Sequence, residues 1–138
     1  MLERTVVLIK PDGMEKKVVG QIIDRFERAG LKIVGLKLVA LTQPILDQWY
    51  AHHKDKPFFP DLCRQMMSCP VVALVLEGEG AIQKVFEICG PTDPAEAAPG
   101  TIRRDFGVDK PRNVVHRSDS AETAAKEISL LFRPEEIF

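Results

Sequence analysis

The sequence lacks the features that mark several large classes of protein. No apolar run approaches the roughly 20 residues of a membrane-spanning helix, so we expect no membrane partner. The opening residues MLERTVVLIK contain neither a long apolar region nor a small-residue cleavage site, which predicts a cytoplasmic location. The cysteines Cys63, Cys69 and Cys89 include no C-x-x-C pair, which argues against a disulfide framework and a zinc knuckle.

Common signatures of nucleotide and nucleic-acid binding are also missing. Neither a G-x-x-x-x-G-K-S/T loop nor a G-x-G-x-x-G turn occurs, so the chain is not a P-loop or Rossmann protein. A formal net charge of -1 argues against a globally basic nucleic-acid binder. Positive charge is nevertheless concentrated between positions 101 and 117, where five cations stand against two carboxylates. This local excess predicts a docking site for an anion.

The residues that are present indicate one domain over residues 1–138. A chain of this length with 45% hydrophobic residues can bury a substantial core. Short apolar runs predict strands at 5–9, 31–40, 71–78 and 113–116, and helical spacing predicts helices at 18–26 and 82–89. The order βαββαβ predicts an α+β, ferredoxin-like fold with a four-stranded antiparallel sheet. Residues 44–68 are expected to form a helical hairpin inserted between the second and third strands.

The segment after position 116 predicts a C-terminal helix. Asp119 and Glu122 have the spacing of a capping box with Asp119 as the N-cap. An apolar stripe follows, formed by Ala124, Ala125, Ile128, Leu131 and Phe132. Glu127 falls at the border of this stripe, a position that suits either a solvated glutamate or one turned towards a neighbouring element.

Side chains able to bind phosphate stand at strand ends and in the segment from 90 to 112. Prolines and glycines break that segment, and a loop so long predicts an ordered functional role. The phosphate-binding candidates are Lys10, Thr92, Arg103, Asn113 and His116. His116 ends the fourth strand, where a histidine can be a nucleophile held by its neighbours or an ordinary turn residue. Strict alternation would place Asn113 and His116 on opposite faces, so we expect Asn113 in the loop before the strand.

Five blocks of the sequence, taken together, resemble the nucleoside diphosphate kinase family in order and spacing. They are IKPDG at 9–13, KPFF at 56–59, GPTDP at 90–94, PGTIRRDF at 99–106 and NVVHRSDS at 113–120. The resemblance extends over nearly the whole chain, from Glu3 to Pro134. It implies a kinase that transfers the γ-phosphate of a nucleoside triphosphate such as ATP to a nucleoside diphosphate. The family does this by a ping-pong mechanism through a phosphohistidine, and His116 matches the nucleophile.

The resemblance also implies roles for the other site residues. Glu127 matches the glutamate that fixes the tautomer of the histidine, Ser118 the serine that supports it, and Tyr50 a tyrosine near the histidine. Residues that match phosphate-binding or sugar-binding positions are Lys10, Thr92, Arg103 and Asn113. Phe58 and Leu62 match the apolar pair against which the base packs, and stacking of this kind has little base selectivity.

The family further implies a cofactor and an assembly. Mg²⁺ would bridge phosphate oxygens of the nucleotide, without a dedicated metal cage made by the protein. The chain is expected to form a homo-oligomer, a tetramer or a hexamer, with the proline-rich loop helping to pack the subunits. No sequence-specific nucleic-acid partner is expected.

Three positions depart from the family pattern. Position 86, where the family has a phosphate-binding arginine, holds Phe86, whose spacing with Ile82, Val85 and Cys89 predicts an ordinary core residue. Arg117 and Arg104 replace small residues next to His116 and Arg103, and either could compensate for the missing arginine.

Two alternative functions remain open at this point. One is a catalytically weak relative that serves as a nucleotide-binding or interaction module, for which the three departures are the argument. The other is an RNA-recognition module, which shares the βαββαβ order. That class stacks bases on aromatic residues of its central strands, and the predicted strands contain no phenylalanine.

Overall fold

The computed structural model describes residues 1–138, which form an α+β fold. Its strands are β1 (Leu2–Ile9), β2 (Lys32–Val39), β3 (Val71–Glu79) and β4 (Val115–Arg117). Its helices are α1 (Pro11–Glu15), α2 (Val19–Arg28), α3 (Gln43–Trp49), α4 (Phe59–Met66), α5 (Ala81–Cys89), α6 (Ile102–Phe106) and α7 (Ala121–Leu131). Short 3₁₀ turns cover Ala51–His53, Pro94–Glu96 and Pro134–Glu136.

The sheet confirms the predicted ferredoxin-like order. Its strands lie in the order β2-β3-β1-β4, and every pair is antiparallel. The predicted insertion between the second and third strands is also confirmed, since α3 and α4 occupy it. Both β2 and β4 are edge strands, and β4 contributes only three residues that pair with β1. His116 lies in this short edge strand, and 23% of its side chain is exposed.

Helices cover both faces of the sheet, which explains why β1 reads as an uninterrupted apolar run. Alternate side chains of β1 point to opposite faces, so Val7 and Ile9 join one core cluster while Val6 and Leu8 join the other. The first cluster includes residues of α2 and α5, and the second includes residues of α3, α4 and α7. His116 pairs with Leu8 and shares its face, and Arg117 pairs with Val7 on the opposite face.

One local prediction at a helix start was wrong. The N-cap of α7 is Ser120, whose hydroxyl accepts from the backbone N–H of Thr123, and not Asp119. Asp119 instead accepts from the guanidinium of Arg117. At the other end of the chain Pro11 begins α1, and proline suits the first helical position, where its missing N–H costs nothing.

Phe86 is not the core residue that its helical spacing predicted. Its side chain is 43% exposed, and the guanidinium of Arg117 lies over its ring at 3.9 Å from the centroid. The core stripe of α5 is made by Ala81, Val85 and Cys89 instead.

Two further observations bear on the classes considered from sequence. The four strands contain no phenylalanine, tyrosine or tryptophan, so the sheet offers no platform of the kind that RNA-recognition modules use. None of the helices is both long enough and apolar enough to cross a lipid bilayer.

Candidate active site

A strained turn places the backbone of His116. Val114 has a positive φ of 64°, and Val115 N donates to Asn113 O across it, which defines a γ-turn. Positive φ is costly for a β-branched residue, so surrounding contacts must hold it in place. Two of them do: the carboxylate of Asp12 accepts from Val114 N at 2.9 Å, and Lys10 N donates to Val114 O at 2.8 Å. Asn113 therefore lies in the loop before β4, as the alternation argument predicted.

The side chain of His116 is held through one of its two ring nitrogens. Its Nε2 lies 3.2 Å and 3.1 Å from the two carboxylate oxygens of Glu127. Ser118 Oγ donates to the same carboxylate at 2.6 Å, and Glu127 is only 5% exposed. A carboxylate accepts but cannot donate, so this contact favours the tautomer with the proton on Nε2. The lone pair of Nδ1 is then available for nucleophilic attack.

Two aromatic residues at the end of α3 complete the surroundings of the imidazole. The ring of Trp49 meets that of His116 edge to face, with centroids 5.0 Å apart. Tyr50 lies close enough to Glu127 for its charge to matter: burial first, and then the negative charge of Glu127, raise the pKa of Tyr50 to about 12. Trp49, Tyr50, His116 and Glu127 all line one cavity of about 430 Å³.

A chain of hydrogen bonds joins three of the predicted phosphate-binding residues. Lys10 Nζ donates to Asn113 Oδ1 at 2.8 Å and to Pro111 O at 3.0 Å. Asn113 Nδ2 donates in turn to Thr92 O at 3.0 Å, so the long loop is tied to the end of β1. Lys10 is buried, and this burial is the main reason that its pKa lies below the ordinary lysine value. A buried cation of this kind interacts strongly with an anionic ligand, because little water screens it.

Arg103 reaches the open edge of β4 from α6. Its Nη2 donates to Val115 O at 2.9 Å and its Nη1 to Gly90 O at 3.0 Å, which leaves its buried Nε without a partner. Burial lowers the pKa of Arg103 from its ordinary value. The guanidinium therefore lies beside the backbone of the residue that precedes His116.

Phe58 and Leu62 lie one helical turn apart at the start of α4. Leu62 N donates to Phe58 O, which places both side chains on the same side of the helix. Phe58 is 49% exposed and packs against His53, with ring centroids 5.5 Å apart, while Leu62 is half-buried. Neither belongs to the cavity that His116 lines.

Sequence reasoning missed two residues of this site. Asp12 was not among the predicted site residues, although its carboxylate supports the strained backbone of Val114. Trp49 drew no attention because its partner is distant in sequence, although the chain has no other tryptophan. Arg117 was noted as a departure, but nothing in the sequence signalled that it is buried against Phe86.

Comparisons with known proteins agree on one family. The family model for nucleoside diphosphate kinase matches residues 3–137. A nucleoside diphosphate kinase of Coxiella burnetii is 53% identical over 99% of this chain and 99% of its own length. One of Archaeoglobus fulgidus is 52% identical over 99% of this chain and 90% of its own.

Solved structures give the same result. The nucleoside diphosphate kinase of Aquifex aeolicus superimposes with a TM-score of 0.96 at 48% identity, covering all of both chains. That of Halobacterium salinarum, a halophilic protein solved in complex with CDP, gives a TM-score of 0.95 at 41% identity over 100% of this chain and 92% of its own.

Tyr50 provides a direct spectroscopic test of this site because it is the only tyrosine in the chain. Its tyrosinate absorbance at 295 nm should rise with a midpoint at about 12 in the folded protein, recorded by rapid pH jump. In urea the midpoint should fall to about 10, the ordinary tyrosine value. Because the folded pKa is the higher one, stability is lost as the pH rises above about 10 towards 12.

Glu127→Gln should lower the folded midpoint, since it removes the negative charge that opposes ionisation of Tyr50. A folded midpoint equal to the value in urea would contradict the placement of this phenol.

Proposed function

Because this chain belongs to the nucleoside diphosphate kinase family, we propose that His116 is the residue that carries the phosphoryl group between its two nucleotides. The protein is a nucleoside diphosphate kinase: it transfers the γ-phosphate of a nucleoside triphosphate to a nucleoside diphosphate. The observation that supports His116 in this role is the pairing of its Nε2 with the buried carboxylate of Glu127. No observation favours the alternative hypothesis that the chain is a catalytically weak nucleotide-binding or interaction module.

The transfer takes two matched half-reactions. The lone pair of His116 Nδ1 attacks the γ-phosphorus, the bond from that phosphorus to the β,γ-bridging oxygen breaks, and the nucleoside diphosphate leaves. The imidazole becomes positively charged when it is phosphorylated, and the carboxylate of Glu127 stabilises this charge at Nε2–H. Ser118 donates to Glu127 and keeps that carboxylate aimed at the ring. A second nucleoside diphosphate then takes the phosphoryl group by the reverse steps.

The buried cations supply the electrostatic part of catalysis. Lys10 and Arg103 hold the phosphate oxygens, and Asn113 and Thr92 bind the sugar and phosphate groups beside them. Phosphoryl transfer needs little covalent chemistry from the protein, so positioning and charge stabilisation provide most of the rate enhancement. The buried Nε–H of Arg103 has no partner in the protein and is a further donor that suits such a ligand.

A divalent metal accompanies the nucleotide in this family, and the site fits that requirement. No cluster of three or more metal-ligating side chains exists, but one buried oxygen of Asp12, Oδ1, has no partner in the protein. We propose that Mg²⁺ would be held mainly by the phosphates of the nucleotide, and the unpaired carboxylate oxygen of Asp12 would be available as a further ligand. The bound ion would supply neutralisation of charge on the phosphate oxygens.

Recognition of the base is proposed to rest on Phe58 and Leu62. The exposed ring of Phe58 and the side chain one turn beyond it offer an apolar surface without a donor or acceptor that would select one base. Purine and pyrimidine nucleotides are therefore both expected as substrates.

We also propose that the chain works as a homo-oligomer in the cytoplasm. The edge strand β2 exposes Leu36 and Leu38, which are 53% and 66% accessible. An edge strand with exposed leucines suits pairing with a second copy, which a symmetric dimer allows. Pro91, Pro94 and Pro99 stiffen the long loop that we expect to pack further subunits together.

His116→Ala should abolish transfer from ATP to GDP while nucleotide binding and the fold persist. The wild type incubated with γ-labelled ATP should carry acid-labile, base-stable label, and the variant should carry none. His52→Ala, which removes an exposed histidine, is the matched control and should be labelled normally. If the His116 variant retained a tenth of wild-type exchange, the covalent relay would be wrong.

Light scattering should give the mass of a tetramer or hexamer at micromolar concentration. Leu38→Lys places a charge on the exposed edge of β2 and should shift the assembly towards smaller species. Lys32→Ala, at the start of the same strand, should not. A monomeric wild-type protein would refute the proposed assembly.

A further inference from the structure

Arg117 is a buried cation that the mechanism above does not use. Only 7% of its side chain is exposed, and its guanidinium stacks on the ring of Phe86 at 3.9 Å. Its Nη1 donates to Asp119 at 2.8 Å, but its buried Nε has no partner. Asp119 is 81% exposed, so the only carboxylate bound to this guanidinium lies in solvent rather than in the core.

The position of Arg117 brings it to the edge of the sheet that Arg103 also occupies. His116 and Arg117 are neighbours on the outermost strand and point to opposite faces, while Arg103 binds the outer carbonyl of Val115. The two guanidinium groups interact, since the charge of Arg117 helps to lower the pKa of Arg103 after the larger effect of burial. Each also has a buried Nε–H without an acceptor.

Two neighbouring buried guanidinium groups, each with an unpaired Nε–H, favour the binding of an anion. Leaving a charged donor unpaired in the interior is costly, and a ligand with several acceptor oxygens removes that cost at both groups together. Phosphate suits this role because its oxygens match the planar fork of arginine. Asp119, the ion-pair partner of Arg117, also lines the cavity that contains His116.

We propose that Arg117 binds the terminal phosphates of the nucleotide, with Phe86 as the aromatic support that orients its guanidinium. This inference rests on the proposed function, since the γ-phosphate must reach His116, and Arg103, which we propose holds the phosphates, lies beside the backbone of Val115 in the same strand as Arg117. It assigns paired roles to the two departures at 86 and 117. Phe86, which stands where the family has an arginine, stacks on the guanidinium of Arg117 and fixes its orientation.

Arg104, the other candidate for compensation, has a different environment. It is exposed, and its Nη1 donates to Ala95 O within the proline-rich segment at 3.2 Å. No aromatic ring supports its guanidinium. Arg104 therefore provides a matched control for Arg117.

Equilibrium titration with Mg²⁺-ADP and with AMP tests the proposal without depending on phosphoryl transfer. Arg117→Gln should weaken ADP binding by about tenfold to a hundredfold, the effect of losing a charge-assisted hydrogen bond. AMP, which lacks the terminal phosphates, should bind within about threefold of wild type. Arg104→Gln should change neither affinity by more than about twofold.

Two more variants keep the test decisive if Arg117→Gln proves unstable in thermal melts. Asp119→Asn removes the ion-pair partner and frees the guanidinium, so ADP should bind as tightly as before or more tightly. In the double variant Arg117→Gly with Phe86→Arg, a guanidinium from α5 should enter the vacated space and restore ADP binding to within about fivefold of wild type.

The proposal is overturned if Arg117→Gln leaves ADP binding unchanged, or weakens ADP and AMP equally, as a purely structural role would. It is also overturned if Asp119→Asn weakens ADP binding tenfold, or if the double variant binds ADP as weakly as Arg117→Gln does. Labelling of His116 by ATP is measured separately on the wild type. Absence of label on His116 would contradict the proposed function. The ADP and AMP titrations decide the role of Arg117 independently of that result.

Discussion

The pairing of His116 Nε2 with the carboxylate of Glu127 is the interaction on which the rest of the site depends. Nucleophilic attack by a histidine requires one ring nitrogen with a free lone pair, while the other is held by a partner. Glu127 binds Nε2 of His116 and so leaves Nδ1 free. The arrangement needs β4 and α7 in a fixed relation. The Ser120 cap starts α7 immediately after the strand, and α7 packs on β1, the partner of β4. Ser118, in the link between them, completes the network.

A second constraint is the burial of charge. Apart from Thr5, the buried polar side chains are Lys10, Arg103, Asn113, Arg117, Ser118 and Glu127, all within this region. Three of them are cations and only one is an acid, so the protein without ligand carries an electrostatic cost. The strained φ of Val114 adds to it. Such costs concentrate at functional sites, and the polyphosphate of the proposed nucleotide ligand would supply the missing negative charge.

The order of strands and helices could be predicted because it is visible in local patterns of apolar and polar residues. Continuous apolar runs predicted the strands because helices cover both faces of the sheet, and period-2 alternation placed Asn113 outside β4. The roles of Lys10, Arg103 and Glu127 followed from family resemblance rather than from spacing. Glu127 shows why: its place on the border of an apolar stripe did not reveal that it is buried against His116.

The failures have physical reasons as well. Phe86 has core spacing on its helix, yet the guanidinium above it comes from a strand 31 positions later, a contact that no local pattern reports. Asp119 and Ser120 both have the chemistry of an N-cap, and tertiary pairing of Asp119 with Arg117 settled which one caps α7. Asp12 was overlooked because its partner is the backbone of Val114, which has no side-chain signature in sequence.

Two-dimensional NMR of the ¹⁵N-histidine-labelled, phosphorylated protein tests the central claim most directly, because it identifies which ring nitrogen of His116 bears phosphorus. The contact of Nε2 with Glu127 predicts phosphorylation on Nδ1, with Nε2 protonated and hydrogen-bonded. Phosphorus on Nε2 would contradict the account, since that nitrogen would have to leave the carboxylate on which the whole arrangement depends.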